Sequence, residues 1–264
     1  MSRKSFHYSG STKAIILAAG YATRLYPLTQ NMPKPLLFVT PEKTVIDLII
    51  DDLEACGLVD EAIIVTNSKF YAHFFKWALV RKRQCNIRLT VVDDGTCSNE
   101  DRLGAIGDIF FAIKKRKLDC NLVVIAGDNL FQRGIKSFLS FALTRHSHVS
   151  FGVFDIKKKS HACRFGVVTL RPNGKVVAFE EKPKNPKSTL VATCLYYFPK
   201  ETLKFLKRYV HDRAMSNDAS GNYIRWLLKV DRVSAFALKG TRWYDIGHLD
   251  SYKEVVANFN DSIF

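Results

Sequence analysis

The chain has 264 residues, 47% of them hydrophobic, and a formal charge of +15. That length fits one large α/β domain, or a nucleotide-binding core with a smaller lobe, and it can bury a substantial core. No apolar run approaches the ~20 residues of a membrane span, Met1 to Thr12 lacks a leader's apolar stretch, and six cysteines without a C-x-x-C pair speak against disulfide frameworks and metal clusters. Residues 1–12 read as a flexible tail, the expected location is cytoplasmic, and 13–264 read as one domain.

Lys13 to Ala18 is a short apolar run ending near Gly20, as in a buried parallel strand. A loop rich in Gly, Thr and Pro follows, up to Pro35. Thr44 to Cys56 has helical periodicity and is closed by Gly57. Glu61 to Thr66 is a second strand, and Ser68 is placed to cap a helix that runs to about Arg83. Ile87 to Val92, Leu103 to Lys115 and Asn121 to Ala126 continue the alternation as strand, helix and strand. Such a series specifies a doubly wound, mostly parallel sheet of Rossmann type.

The pattern changes after about residue 147. Val149 to Asp155, Phe165 to Leu170, Val176 to Glu181 and Leu190 to Phe198 are strands with short links, and Asn173-Gly174 is a hairpin turn. Helices are expected at Pro199 to Tyr209, Tyr223 to Lys229 and Asp250 to Asn258, with a strand at Val233 to Leu238. The expected division is a nucleotide-binding half, 13–147, and a smaller half, 148–264, sharing one mixed sheet with the ligand between them.

The first loop carries Ala18-Ala-Gly-Tyr-Ala-Thr-Arg-Leu25 and then Pro33-Lys-Pro-Leu36. A loop at the carboxyl end of the first strand is where open α/β sheets bind ligands, and its N–H groups suit phosphate or base edges. Arg24 and Lys34 add two cations. The loop lacks the G-K-[ST] ending of a Walker A motif and any G-x-G.

This pair of segments resembles the signature of the sugar-1-phosphate nucleotidyltransferases, of which glucose-1-phosphate thymidylyltransferases are the best-known members. Further matches follow in order: Gly127-Asp-Asn129, Phe165-Gly-Val-Val168, Glu180-Glu-Lys-Pro183 and Trp243-Tyr-Asp-Ile-Gly247. The resemblance spans about Lys13 to Asn258. It implies Asp128 and Asp245 as Mg²⁺ ligands, Lys182 on the phosphate of the sugar phosphate, and Glu181 on a sugar hydroxyl. Ala19, Gly20, Tyr21, Ala22, Thr23, Asn99 and Gly104 would face the nucleotide. Gly166, Thr193 and Tyr196 would face the acceptor. The partners are then a nucleoside triphosphate, with dTTP or UTP favoured, and a sugar 1-phosphate. In this reading Arg24 stabilises the leaving pyrophosphate and Lys34 the α-phosphoryl oxygens.

Three positions depart from the family pattern. Ala22 stands where glycine is common, Cys194 stands for the glycine of T-G-[IL]-Y, and His248 stands for Thr or Ser. They keep two alternatives open, an altered acceptor and a catalytically silent nucleotide-binding protein. A cytidylyltransferase for a small alcohol phosphate such as phosphocholine is the third. The basic clusters Arg81-Lys-Arg83, Lys114-Lys-Arg-Lys117 and Lys157-Lys-Lys159 read as solvated surface rather than as a specific nucleic-acid site. A homo-oligomer is compatible with the sequence, which carries no self-association signal.

Overall fold

The structure, a computed structural model, describes residues 11–145, 147–212 and 214–259. Its first five strands are β1 (Thr12–Leu17), β2 (Glu61–Thr66), β3 (Arg88–Asp93), β4 (Asn121–Ala126) and β5 (Asn129–Phe131). The next six are β6 (Val149–Asp155), β7 (Gly166–Leu170), β8 (Val176–Glu181), β9 (Leu190–Phe198), β10 (Val233–Ala237) and β11 (Trp243–Asp245). The helices of the first half are α1 (Val45–Cys56), α2 (Tyr71–Arg81), α3 (Gly104–Arg116) and α4 (Lys136–Thr144). A single turn, α5 (Lys159–Ala162), precedes α6 (Leu203–His211), α7 (Ser220–Val230) and α8 (Leu249–Asn258).

One nine-stranded sheet runs in the order β10-β6-β9-β4-β1-β2-β3, with β7 joining β9 and β8 joining β7. The β4-β1-β2-β3 half is parallel, and β9 is antiparallel to both β4 and β6. The two halves therefore share one sheet, as the sequence led us to expect. Successive residues of β1 feed opposite faces: Ala14 and Ile16 pack with α1, α2 and α4, while Ile15 packs with α3, α6 and α7. Burial on both faces explains why β1 and β4 are unbroken apolar runs rather than alternating ones. Among the described residues no helix is long and apolar enough to cross a membrane.

Several expectations are corrected. The tail reading of 1–12 reaches too far, since β1 begins at Thr12, which is buried; residues 1–10 lie outside the described residues. Ser68 does not cap α2, because its hydroxyl bonds to Asp93 Oδ1 and Oδ2 at 2.9 and 3.0 Å, and Asn67 Oδ1 takes the Phe70 N–H instead. Thr44, by contrast, closes a capping box with Asp47 at the start of α1. The basic clusters are not uniformly solvated: Arg81 is drawn in by Asp47, Asp51 and Glu54, and Arg116 pairs with the buried Glu61 at 3.3 Å. The strands β5 and β11 and the helix α4 carried no sequence signal strong enough to be named.

Candidate active site

The loop expected to face the nucleotide leaves β1 at Leu17, whose carbonyl accepts Gly127 N–H at 2.8 Å. Two fully buried side chains fix the course of this loop. Asn67 Nδ2 donates to Ala19 O at 2.8 Å, and Thr29 Oγ1 donates to Ala22 O at 2.7 Å. Tyr21 turns inward against Phe70, so its ring is core and only its backbone can meet a ligand. A side chain built on Gly20 would meet nothing within 4 Å, which leaves that backbone open to a ligand. Ala22 has φ 49° and ψ 37°, the left-handed region where a Cβ costs about 1–2 kcal/mol. The turn Thr23–Leu25 then buries Leu25 and leaves Thr23 and Arg24 exposed at the mouth.

The two candidate metal ligands come together through a strand pair absent from the sequence reading. The antiparallel strands β5 and β11 set Asn129 opposite Asp245. Asn129 Nδ2 donates to Asp128 Oδ1 at 2.8 Å and to Asp245 Oδ1 at 3.3 Å, while its Oδ1 accepts the Trp243 indole N–H at 2.7 Å. Lys34 Nζ reaches Asp128 Oδ2 at 2.6 Å. Burial opposes the charge on Asp128, but the Lys34 ammonium outweighs it and holds the carboxyl below its ordinary value. Asp245 lacks that partner; burial and then the charge of Asp128 push it up to about 6.

This donor set fits Mg²⁺. Two close, mutually repelling carboxylates give hard oxygen ligands, and no third His, Cys, Asp or Glu converges on them among the described residues. The remaining ligands would be phosphate oxygens and water, which is how Mg²⁺ is commonly held. Lys34, expected on the α-phosphoryl group, is paired with Asp128 at 2.6 Å.

The side expected to take the acceptor is built from β7, β8, β9 and the start of α7. Between the pairs Phe151↔Tyr196 and Val153↔Ala192, three residues of β9 oppose one of β6, a bulge centred on Cys194 with φ 23°. Bulges re-aim side chains. Here Thr193 is directed away from the cleft, its hydroxyl donating to Gly152 O at 3.2 Å. The thiol of Cys194 lies 3.8 Å from Ser220 Oγ, and burial, reinforced by the charge of Asp128, pushes it up to about 12. Tyr196 is buried with its hydroxyl 2.8 Å from Ser220 Oγ. Thr193 and Tyr196, both expected to touch the acceptor, are thus bonded within the protein and shape the wall from behind.

The carboxylate of Glu181 lies directly against Gly221, and a Cβ on Gly166 would approach its Oε2 to 3.3 Å, so these two glycines make its room. Burial pushes the Glu181 carboxyl up, with Lys182 and Arg225 opposing. Lys182 is left-handed at φ 43°, with its N–H on Phe165 O at 3.1 Å. Across the cleft, Asn99 is exposed in a turn whose carbonyl accepts Arg102 Nη1 at 2.6 Å. Gly104 has φ 78°, and a Cβ there would lie 2.6 Å from Asn217 O and from Asp218 Cα. Its side is therefore packed against the chain's second half.

His248, the third departure, caps the last helix. Its Nδ1 accepts Ser251 N–H at 3.2 Å and completes a capping box at α8. Sequence reasoning missed Ser220, Gly221 and the structural role of Asn129. Asn129 had a signal, its place beside Asp128 in the Gly127-Asp-Asn motif; Ser220 and Gly221 had none.

The family model described as nucleotidyl transferase matches residues 13–262. The chain is 28% identical to a glucose-1-phosphate adenylyltransferase of Fusobacterium nucleatum, over 90% of this chain and 64% of that one. It is 26% identical to a bifunctional protein GlmU of Methanocaldococcus jannaschii, over 95% of this chain and 56% of the other. The chain thus spans roughly three-fifths of the length of these curated relatives. A Bacillus anthracis structure described as a glucose-1-phosphate thymidylyltransferase, solved with sucrose, superposes with a TM-score of 0.81 at 24% identity, covering 95% of this chain and 96% of that one. With a family match over nearly the whole chain, the chain belongs to the nucleotidyl transferase family.

Proposed function

We propose that this chain transfers a nucleotidyl group from a nucleoside triphosphate to a sugar 1-phosphate and releases pyrophosphate. The observation that carries the reading is the convergence of Asp128, Asp245 and Lys34, from three distant segments, at the carboxyl end of the sheet. The attacking group is an ionised phosphate oxygen of the acceptor. It bonds to the α-phosphorus as the bond from that phosphorus to the bridging oxygen of the β-phosphate breaks. The acceptor arrives already deprotonated, so no Ser, Cys or His base is needed, and positioning and charge complementarity carry the catalysis. Asp128 and Asp245 would hold Mg²⁺, which when bound offsets the charge of the triphosphate and of the incoming anion. Arg24, exposed at the mouth, meets the leaving pyrophosphate, and Lys182 orients the acceptor's phosphate.

On the base, resemblance points two ways. The residues expected near the acceptor favour the thymidine and uridine branch, whereas the curated relatives include adenylyltransferases. The test is pyrophosphate release with Mg²⁺ for dTTP, UTP, CTP, GTP and ATP against a panel of sugar 1-phosphates and phosphocholine. Release confined to one base and one sugar 1-phosphate supports the proposal. Release with phosphocholine alone moves the chain to the cytidylyltransferase alternative, and nucleotide binding without release with any pair makes it a silent binder.

A further inference from the structure

The clearest link between the two sides of the cleft lies outside the residues assigned so far. The loop after β3 ends in a turn closed by Asp101, which accepts Cys97 N–H at 3.0 Å and Ser98 N–H at 2.8 Å. The next residue, Arg102, crosses to the second half of the chain. Its Nε donates to Asp218 Oδ1 at 3.1 Å and its Nη2 to Asp218 Oδ2 at 3.2 Å, a two-pronged pair across 116 residues. Beside it, Ala105 N–H and Ile106 N–H at the start of α3 bond to Asp218 O and Asn217 O at 3.1 and 3.0 Å. Gly104 is required for that approach.

Segment 217–221 continues straight into the acceptor wall. Two residues after Asp218, Ser220 holds Tyr196; one further on, Gly221 lies against the Glu181 carboxylate, which precedes Lys182. Asp218 is therefore an acidic side chain at the border of a site that must take a phosphate. It is held below its ordinary value first by the bond from Arg102 and further by the charges of Arg102 and Lys182, so Lys182 lies within its field. An acidic group near a phosphate-binding lysine competes with the phosphate unless another cation occupies it.

Resting on the function proposed above, we infer that Arg102 is a positioning residue for the acceptor: its fork occupies the Asp218 carboxylate and so leaves Lys182 free for the acceptor's phosphate. A clasp that served only to tie two loops together would be broken equally by removing either partner. One that sequesters a carboxylate has a different signature, because removing Arg102 releases Asp218 toward Lys182 and removing both charges does not.

The test is steady-state kinetics of wild type, Arg102→Ala, Arg102→Lys and the double variant Arg102→Ala with Asp218→Asn, with Tm measured for each. Arg102→Ala should raise the KM for the sugar 1-phosphate about 5-fold, the upper range for an exposed ion pair, with a smaller change in kcat. Arg102→Lys should keep most of the wild-type value, and the double variant should recover at least half of the loss. An unchanged acceptor KM in Arg102→Ala, or no recovery in the double variant, overturns the inference. If Arg102→Ala does not fold by the Tm criterion, Arg102→Gln takes its place in the same comparison. If the wild type releases no pyrophosphate with any pair, the functional reading fails by itself. Calorimetric affinity for glucose 1-phosphate then decides the clasp by the same pattern, and absence of any binding overturns both.

Discussion

On the nucleotide side of the cleft the backbone is held by buried side chains: Asn67 fixes Ala19, Thr29 fixes Ala22, and Tyr21 is anchored on Phe70. On the acceptor side the chain is bent at a bulge on Cys194 and turned left-handed at Lys182, and the support comes from another element, through Ser220 and Gly221 of α7. The first wall is determined by its own half of the sheet. The second depends on a segment that is in turn tied to the first. Substitutions on the nucleotide side should therefore act on the chemical step, and those on the acceptor side on acceptor recognition.

The strongest break in that contrast comes where the walls meet. Asp128→Asn removes one of two convergent carboxylates and leaves Lys34 without its counter-charge. We expect kcat for pyrophosphate release to fall by on the order of 10³-fold. Asp245→Asn should cost a similar factor yet raise Tm, because it removes a carboxylate that burial first, and then the charge of Asp128, push up to about 6. A pair of variants equally slow but opposite in Tm would identify the site as one that sacrifices stability for function. Arg24→Ala, on the nucleotide side alone, should lower kcat by ~10²-fold with little change in Tm, since Arg24 is exposed. A change confined to KM for the triphosphate would instead assign Arg24 to ground-state binding.

The same contrast governs how far this site is legible in the residues. The strands β2, β4, β6, β8 and β9 were legible to the residue, because buried strands leave apolar runs bounded by turn formers. The Asp128 carboxylate was legible because it ends such a run. The short strands β5 and β11 were not, since three residues with no turn signal give no period to detect; their partner choice is made by Asn129 and Trp243 in space. Thr193 was expected to face the acceptor because the resemblance implied it, and at the bulge on Cys194 its hydroxyl is bonded to Gly152 O instead. The demand for a left-handed residue at Ala22 was legible from the position of a missing glycine, and φ 49° meets it.

A smaller effect separates the nucleotide side's interior from its surface. Asp94 and Asp108 are both buried there, and burial followed by the charge of Asp94 pushes Asp108 up to about 8. In the unfolded chain Asp108 loses its proton near the ordinary value of 3.8, whereas the folded chain keeps it to about 8. The folded state therefore binds more protons across that window, and its stability falls as pH rises through it. Asp108→Asn carries no titrating group, so the Tm of wild type relative to this variant should decline between about pH 5 and pH 8 and level off above. A difference flat across that range would mean that Asp108 is not held protonated by the fold.

The smallest effect probes whether the nucleotide wall is as firmly held as its hydrogen bonds suggest. Ala22 carries a Cβ in the left-handed region, yet Thr29 keeps its carbonyl at 2.7 Å. Ala22→Gly removes the steric cost but adds backbone freedom to the unfolded chain, so the net gain should be about 1 kcal/mol or less. For a chain of this length that is a rise in Tm of about 2 °C. If the wall is held by Asn67 and Thr29, kcat should stay within about 2-fold of wild type, since that ratio is under about 0.5 kcal/mol. A gain in kcat of about 10-fold with the same rise in Tm would show instead that the Cβ of Ala22 displaces the triphosphate. The strain there would then limit the chemical step, and the nucleotide wall would be the adjustable one.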